Sequence, residues 1–309
     1  MQSVTTIFRM GNGPSSSHTM GPARAAEIYC EKHPDCAHFK VELFGSLAAT
    51  GKGHLTDRAI LNSFSPSKVD FVWKPEVYLP RHPNAMKFSS LPSDGREHDP
   101  WTVYSVGGGS LADESGIMGV PLSVYDLNDM NQLLNWCRDK GRHMWEMVEE
   151  VEGPAIMDYL EEVWKVMQEA LLRGLEEEGV LPGGLGIPRK AQTYFVKSQG
   201  YTESVKRRTQ LFAYALAVAE ENAAGGKIVT APTCGSCGVL PAVLYYLKQY
   251  HSFNTKRIIR ALETAGIIGS IVKQNASVSG AEVGCQGEIG TACAMASGAT
   301  VQLFGGSPA

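Results

Sequence analysis

The sequence lacks a basic surplus, an export signal and a membrane-spanning segment. Its 309 residues include 28 Lys and Arg against 32 Asp and Glu, so nothing in the charge favours binding to nucleic acid or an anionic membrane. The first residues, MQSVTTIFRMGNGP, do not have the charged and then apolar layout of a signal peptide. The most apolar run, residues 261–272, is interrupted by Glu263 and two glycines and falls short of the roughly 20 residues that span a bilayer. We therefore expect a cytoplasmic protein without nucleic-acid or membrane partners.

The number of cysteines is odd, so they cannot all pair with one another in disulfides. Seven cysteines in a chain without an export signal predict reduced thiols rather than disulfides. Four of them fall in the last quarter of the chain: Cys234, Cys237, Cys285 and Cys293. Cys234 and Cys237 have the C-x-x-C spacing, which leaves a redox pair as one hypothesis, although such pairs usually stand in a βαβ context. A compact zinc site would need a second pair with similar spacing, and the other two cysteines do not provide it.

The pattern of apolar residues changes along the chain. Before about residue 125, short alternating segments mix with helical ones and with turns, and after Asp129 the pattern is helical throughout. We predict an α+β N-terminal domain, residues 1–140, followed by an all-α helical domain, residues 141–309. The strands expected are Lys40–Phe44, Val69–Trp73 and Trp101–Val106, with loops at Gly45–His54 and Leu79–Pro100. The helices expected are Thr56–Asn62, Met130–Val151, Ala155–Glu178, Glu203–Ala224, Val239–Tyr250 and Thr255–Asn275.

The stretch Ser279–Gly298 is built from small residues and contains Cys285 just before an expected helix, Glu288–Phe304. Small side chains let backbone and ligand approach closely. A thiolate at a helix N-terminus is stabilised by the helix dipole, which suits a metal ligand or a nucleophile. The alternative is a tightly packed helix in which Cys285 and Cys293 are ordinary core thiols.

A serine-rich loop near the N-terminus places four hydroxyls and an imidazole before a helix. Ser15, Ser16, Ser17 and Thr19 could offer hydroxyls to an anion such as a carboxylate, with His18 among them. The alternative is a capped helix entry, but three serines and a histidine exceed what capping requires. We therefore predict a binding site here.

Two further glycine-rich loops carry candidate residues. Residues 50–57, TGKGHLTD, look like a phosphate loop but lack the first glycine of that motif, so we reject nucleotide binding. His54 in this loop could act as a general base, because imidazole titrates near neutral pH. Residues 230–237, TAPTCGSC, precede another expected helix, and Thr233, Gly235 and Ser236 are predicted to bind a substrate carboxylate.

Several motifs in the same order resemble the iron–sulfur L-serine dehydratases (L-serine ammonia-lyases) of bacteria. They are GPSSSHTMGP at 13–22, GSLAATGKGHLTD at 45–57, YSVGGG at 104–109, ENAAGG at 221–226, TAPT at 230–233 and NASVSGAEVGCQGEIGTAC at 275–293. The resemblance covers nearly the whole chain. It implies an N-terminal domain of the serine dehydratase beta type, similar to the substrate-sensing domain of some phosphoglycerate dehydrogenases, and a helical catalytic domain.

The resemblance also implies a chemistry. L-Serine would be deaminated to pyruvate and ammonia at a 4Fe–4S cluster, whose open iron acts as a Lewis acid on the substrate. In this sequence His18 and His54 match the family's catalytic positions, and residues 15–19 match its N-terminal site loop. Cys285, in the GCQGE motif, matches the first cluster ligand. Family precedent suggests a homodimer.

The sequence departs from the family pattern at its cysteines. The other two ligand cysteines of the family lie downstream of the segment that corresponds to Ala309, so the catalytic domain is expected to be incomplete at its C-terminus. Cys234 stands where many relatives carry Asn. One cysteine cannot hold a 4Fe–4S cluster, which requires about three or four thiolates. A truncated, non-catalytic homologue that binds an amino acid is therefore the alternative function.

Overall fold

A computed structural model describes residues 1–92, 95–118, 123–278 and 280–308 of the chain. The strands are β1 (Met10–Asn12), β2 (His38–Phe44), β3 (Lys68–Lys74), β4 (Ala85–Ser90), β5 (His98–Ser105), β6 (Leu111–Asp113), β7 (Gly116–Met118) and β8 (Lys227–Val229). The α-helices are α1 (Gly21–Lys32), α2 (Gly45–Thr50), α3 (Thr56–Phe64), α4 (Met130–Lys140), α5 (Met144–Glu152), α6 (Ala155–Glu176), α7 (Ala191–Ser198), α8 (Glu203–Ala223), α9 (Val239–His251), α10 (Thr255–Asn275) and α11 (Gly280–Leu303).

Two compact units make up the chain: residues 12–120, and residues 1–11 together with 121–309. The first residues belong to the helical unit because Val4, Ile7 and Phe8 are fully buried in its core. The N-terminal amine fixes this segment further by donating to the carbonyl of Tyr125 at 2.7 Å. The predicted domain limits at residues 140 and 141 stay a prediction, and the compact units divide the chain at other positions.

A mixed sheet forms the centre of the unit of residues 12–120. Its strand order is β3-β2-β4-β5-β6-β7, with β2 and β3 parallel and the other pairs antiparallel. Phe39, Val41 and Leu43 alternate along β2 and are fully buried, as expected for a strand with one face in the core. The ring of Phe39 lies 4.4 Å from that of Phe64, so α3 packs against this buried face of the sheet.

The three predicted strands of this unit are confirmed, and two predicted loops need correction. Gly45–His54 begins with helix α2, because Leu47 and Ala48 are good helix formers that are also buried. Leu79–Pro100 contains β4, which pairs with both β2 and β5. The prolines that suggested a loop lie outside β4, and the charged residue within it, Lys87, lies 3.4 Å from the carboxylate of Glu42 on the neighbouring strand β2.

Helix α10 is the most buried helix of the other unit, and small residues let its neighbours approach it closely. A Cβ atom added at Gly298 of α11 would lie 2.2 Å from Cδ1 of Ile268, so a larger residue there would displace the side chain of Ile268. The predicted helices of this half are confirmed except Met130–Val151, which Gly141 divides into α4 and α5 by taking a left-handed conformation with φ of 63°. The all-α prediction is also incomplete, since β8 pairs with β1.

The structure thus has a sheet-containing N-terminal region and a largely helical C-terminal part. Within the part of the chain that the structure describes, no helix combines the length and the apolar character needed to cross a membrane.

Candidate active site

The serine-rich loop forms a π-helix, Ser16–Met20, directly before α1. The amides of Thr19 and Met20 both donate to the carbonyl of Ser15, at 3.0 and 3.1 Å. The hydroxyl of Ser15 accepts from the amide of His18 at 3.2 Å and so caps the turn. Ser16 and Thr19 are buried, while Ser15 and Ser17 are half-buried. Single turns of π-helix occur often at functional sites, and this one presents Ser15 and Ser17 toward the surface.

His18 and His54 lie side by side. Their ring centroids are 4.6 Å apart and the rings are tilted by 34°. Two threonine hydroxyls tie the backbones together reciprocally: Thr19 donates to the carbonyl of His54 at 2.7 Å, and Thr56 donates to the carbonyl of His18. The pair is therefore fixed by local hydrogen bonds as well as by ring contact.

Both ring nitrogens of His18 meet hydroxyls. Nδ1 lies 2.9 Å from the hydroxyl of Ser17, and Nε2 lies 3.1 Å from that of Ser46. Burial, followed by the neighbouring His54, lowers the pKa of His18 to about 4, although a hydrogen-bonding interaction with the backbone of Ser46 opposes the shift. His18 is therefore a neutral imidazole at neutral pH.

The hydrogen bond of His54 defines its tautomer. Nδ1 lies 3.0 Å from the carbonyl oxygen of Thr50, which can only accept, so Nδ1 carries the proton of the neutral ring. Nε2 then holds a lone pair, and within the described ranges it has no hydrogen-bond partner. An unprotonated and unpartnered imidazole nitrogen is what a general base requires.

Two neighbours of the histidine pair were missed by the sequence analysis. Ser46 lies in the first turn of α2, where its amide donates to the carbonyl of Pro83 at 3.1 Å and its hydroxyl meets His18. His82 is half-buried, and burial lowers its pKa. The stretch that contains Ser46 was singled out for its glycines and His54, so proximity in sequence could have suggested it. No pattern pointed to His82.

The loop of residues 230–237 uses its own hydroxyls. The hydroxyl of Thr233 lies 3.2 Å from that of Ser236, which also donates to the carbonyl of Ala231 at 3.1 Å. Both side chains are buried, and Gly235 between them is exposed. Cys234 and Cys237 are buried, and burial raises the pKa of Cys237 well above its ordinary value. A thiol of this kind is poorly reactive, which speaks against the redox hypothesis.

Cys285 follows a break in α11. Gly284 has φ of 67° and ψ of −178°, a conformation that strongly favours glycine, and Cys285 is the first residue of the helix that continues after it. Its side chain is exposed, as is that of Cys293 further along the helix. Ser279, the first residue of the small-residue stretch, lies outside the described residues.

The same helix brings a carboxylate to the loop of residues 230–237. A Cβ atom added at Gly235 would lie 3.0 Å from Oε2 and 3.2 Å from Oε1 of Glu288. Glu288 follows Cys285 by one helical turn and is half-buried. The helix that begins at Cys285 therefore contacts the loop of residues 230–237 through the side chain of Glu288.

Comparisons with known proteins agree over both units. The family model for the serine dehydratase beta chain matches residues 3–70, and that for the alpha chain matches residues 114–309. An L-serine dehydratase of Streptomyces coelicolor is 37% identical over 99% of this chain and 79% of its own length. Those of Haemophilus influenzae and Escherichia coli are 36% and 38% identical over 100% of this chain and 80% of their own lengths.

The chain belongs to the bacterial L-serine dehydratase family. It spans about four-fifths of the length of these relatives. Of the residues predicted for this L-serine dehydratase family member, His18 and His54 meet in the unit of residues 12–120, together with the hydroxyls of residues 15–19. Thr233, Gly235, Ser236 and Cys285 belong to the other unit.

The residues present do not complete the donor set of a 4Fe–4S cluster. Among the residues that the structure describes, no group of three His, Cys, Asp or Glu side chains is placed to hold a metal ion. Cys285 supplies one exposed thiol, and such a cluster needs about three or four.

One motif of the resemblance is structural. In ENAAGG, the buried carboxylate of Glu221 pairs with Arg173 at 3.0 Å and with Arg189 at 2.9 Å. The preceding Glu220 accepts from the amide of Lys190 at 2.7 Å, at the start of α7. Glu220 and Glu221 therefore join α8 to α6 and to the start of α7.

Proposed function

We propose that this chain is an L-serine dehydratase, which converts L-serine to pyruvate and ammonia. The observation that carries the proposal is Nε2 of His54, a lone-pair nitrogen without a partner among the described residues and beside a neutral His18. The printed names of the relatives, each an L-serine dehydratase, support the choice of substrate and reaction.

The histidine pair performs the proton transfer. Nε2 of His54 takes the α-proton of L-serine, and the electron pair left on Cα forms the Cα–Cβ double bond as the β-hydroxyl leaves as hydroxide. The proton on His54 converts this hydroxide to water, and the aminoacrylate then takes up water and releases ammonia to give pyruvate. His18 stays neutral, so the cation that forms on His54 meets no second positive charge on the adjacent ring. Because the α-proton is weakly acidic, fixed donors must stabilise the charge that develops on the substrate.

The serine loop supplies such donors. Ser15 and Ser17 are half-buried hydroxyls on a fixed turn, and we assign them to the carboxylate of the substrate. Ser16 and Thr19, for which substrate contact was also predicted, are buried, and Thr19 already bonds the backbone of His54. Their role in the proposal is to hold the loop in shape.

A 4Fe–4S cluster remains part of the proposal on the strength of the family resemblance, with Cys285 as one ligand. Such a cluster would supply a Lewis-acidic iron for the departing hydroxyl. Its remaining ligands are not among the described residues, so the cluster is tested separately from the reaction.

The experiment is an anaerobic assay of the purified chain with L-serine, in which pyruvate and ammonia are measured, alongside its iron and sulfide content. Pyruvate and ammonia in equal amounts support the proposed reaction. About four irons per chain would support the cluster, as expected from the stoichiometry of a 4Fe–4S group. Serine binding by calorimetry without pyruvate would contradict the reaction and indicate an amino-acid-binding homologue. Pyruvate without iron would remove the cluster from the proposal.

The predicted homodimer and cytoplasmic location belong to the proposal as well. The large exposed side chains of Val196 and Phe212, on neighbouring helices α7 and α8, are consistent with a surface that a second copy covers. Light scattering coupled to gel filtration measures the oligomeric state directly, and a monomer at micromolar concentration would contradict the dimer.

A further inference from the structure

We propose that His82 is a further catalytic residue, whose Nε2–H donates a hydrogen bond to the carboxylate of the substrate. This bond stabilises the negative charge that reaches the carboxylate when His54 removes the α-proton. The inference rests on the proposed function, since it takes L-serine as the substrate and His54 as the base. All the residues that it uses belong to the unit of residues 12–120.

The first argument is the tautomer of His82, which a backbone hydrogen bond defines. The amide of Asn84 donates to Nδ1 of His82 at 3.1 Å, so Nδ1 carries a lone pair and the proton of the neutral ring lies on Nε2. At His54 the arrangement is reversed, because Nδ1 faces the carbonyl of Thr50 and carries the proton. Nε2 of His54 therefore accepts a proton, whereas Nε2 of His82 donates a hydrogen bond.

The second argument is that His82 is a neutral imidazole. Protonation of Nδ1 would break its hydrogen bond with the amide of Asn84, and burial also lowers the pKa of His82. A neutral imidazole can polarise an oxygen of a substrate through its N–H group. It also adds no positive charge beside His54, which becomes a cation when it takes the α-proton.

The third argument is the position of the segment that carries His82. The carbonyl of Pro83 accepts from the amide of Ser46 at 3.1 Å, and the hydroxyl of Ser46 lies 3.1 Å from Nε2 of His18. The pKa of His18 reflects the same proximity, since it is lowered most by burial, next by His54 and also by His82. His54 and His82 therefore both lie close to His18.

The residue that binds Nδ1 of His82 is itself fixed to the sheet. The amide of Ser105, at the end of β5, donates to the carbonyl of Asn84 at 2.9 Å, and the side-chain amide of Asn84 donates to the carbonyl of Ser105 at 3.4 Å. Asn84 is buried, so this pair of bonds is shielded from water. A donor held in this way needs little reorganisation as charge develops, which is the condition for effective electrostatic stabilisation.

The charge arises when the α-proton leaves. Nε2 of His54 takes this proton, and the electron pair left on Cα spreads into the adjacent carboxylate until the β-hydroxide departs. His82 keeps its own proton throughout, and its hydrogen bond strengthens while the carboxylate carries the added charge. A carboxylate has two oxygens that each accept hydrogen bonds, so the hydroxyls of Ser15 and Ser17 and the ring of His82 can bind it together.

Two substitutions test the two ring nitrogens separately. His82→Asn keeps a polar group near the position of Nδ1 but has none at Nε2, whereas His82→Gln places a donating amide near Nε2. For His82→Asn we expect kcat to fall about 100-fold with little change in the KM for L-serine, as for loss of one oxyanion donor. His82→Gln should restore part of the rate. His33→Asn is the control, because His33 is a half-buried histidine at the other end of α1 from His18, and its kcat should be unchanged.

An isotope effect identifies the step at which His82 acts. With L-serine deuterated at Cα, the ratio of kcat for the light substrate to kcat for the heavy one should be at least as large in His82→Asn as in the wild type, because removal of the α-proton has become slower. A role confined to holding Asn84 would give the opposite order of rates. His82→Asn would then be near the wild type and His82→Gln impaired, since only the shorter side chain still reaches the amide of Asn84.

Four results would overturn the inference while the proposed function stands. They are an unchanged kcat in a folded His82→Asn variant, the reversed order of the two variants, a smaller isotope ratio in His82→Asn, and a proton on Nδ1 of His82. An NMR spectrum that correlates the ring protons and nitrogens of histidine locates this proton without turnover. A wild-type chain that makes no pyruvate from L-serine would overturn the proposed function and this inference together.

Discussion

The ring of His18 lies 4.6 Å from the ring of His54, and the backbones of the two residues are cross-linked by the hydroxyls of Thr19 and Thr56. Two imidazoles at this distance disfavour a double positive charge. Since burial and His54 together keep His18 neutral, the pair can accept one proton on His54 without electrostatic competition. In the proposed reaction, the proton acceptor His54 therefore has a neutral imidazole as its neighbour.

The first prediction concerns the stability of the protein in mild acid. The folded pKa of His18 is about 4 and its ordinary value is 6.5. Between these values the unfolded chain binds a proton at His18 and the folded chain does not. The contribution of neutral His18 to the free energy of unfolding is therefore fully present above pH 6.5 and is lost as the pH falls toward 4. The loss attributable to His18 amounts to at most roughly 3 kcal/mol. Urea unfolding of the wild type and of His18→Asn at several pH values measures this loss. The difference in free energy of unfolding between the two proteins should change as the pH falls from 6.5 to 4.

Ser63→Ala is the control, because Ser63 is a half-buried residue of the same unit whose side chain does not titrate. Its difference from the wild type should not vary with pH between 4 and 7. A His18→Asn variant whose difference from the wild type is equally constant would contradict the buried, neutral state of His18.

The second prediction concerns the proposed base. His54→Ala should lower kcat by at least about 100-fold, which is the lower range for loss of a general base. The fold should persist, because His54 is only half-buried and its ring makes one hydrogen bond, to Thr50. The pKa of His18 should also rise, since His54 is one of the causes that lower it. Pyruvate assays, circular dichroism and an NMR titration of His18 test the three effects.

A His54→Ala variant that fails to fold would show that the histidine is structural. Full activity in a folded variant would instead exclude His54 as the base and move the proton transfer elsewhere.

The third prediction concerns Ser46, which acts on the reaction through His18. Ser46→Ala removes the hydroxyl 3.1 Å from Nε2 and leaves Ser17 as the remaining partner of the ring. We expect kcat to fall roughly tenfold with little change in KM, as for loss of one orienting hydrogen bond. Ser46→Thr should restore part of the rate, since it returns the hydroxyl.

Ser63→Ala is the matched control, because Ser63 is a half-buried serine of the same unit whose hydroxyl bonds the carbonyl of Ala59. Equal rates for the wild type and Ser46→Ala would mean that the Ser46 hydroxyl does not orient His18.

Much of the fold could be predicted because its signals are local. The alternation of Phe39, Val41 and Leu43 defines a strand whatever lies beside it, and the N-cap residue Asn254 sets the start of α10 as expected. Strand β4 escaped prediction because its place in the sheet depends on β2 and β5, which lie far away in sequence. The docking of residues 1–11 onto the helical unit is non-local in the same way.

The candidate site likewise contains residues that local motifs reveal and contacts between residues far apart in sequence, which no motif reveals. The sequence motifs predicted His18, His54 and Cys285 as site residues, because histidine and cysteine are unusual in loops rich in glycine and serine. The contact of Ser46 with His18 and that of Glu288 with Gly235 join residues 28 and 53 positions apart, and nothing in the spacing reveals them. The ENAAGG motif supported the resemblance to the family, but its sequence did not reveal that Glu221 pairs with Arg173 and Arg189.

The fourth prediction concerns Glu263, whose side chain is fully buried on α10 and whose two carboxylate oxygens have no partner among the described residues. Burial, with a contribution from Glu149, raises its pKa to about 8 against the opposing effect of Arg260. The ordinary value is 4.5, so between pH 4.5 and 8 the folded chain holds a proton that the unfolded chain releases. Stability therefore falls as the pH rises through this window.

Glu263→Gln keeps the shape and removes the titration. At pH 5 the variant and the wild type should be about equally stable, and at pH 8 the variant should be more stable by roughly 2 to 4 kcal/mol. Urea unfolding at pH 5, 6.5 and 8 measures the difference, and Glu161→Gln on α6 should show no such trend. A Glu263→Gln variant that is less stable than the wild type at pH 8 would mean that the ionised carboxylate has a cationic partner in solution. In that case the acid at this position stabilises the core instead of straining it.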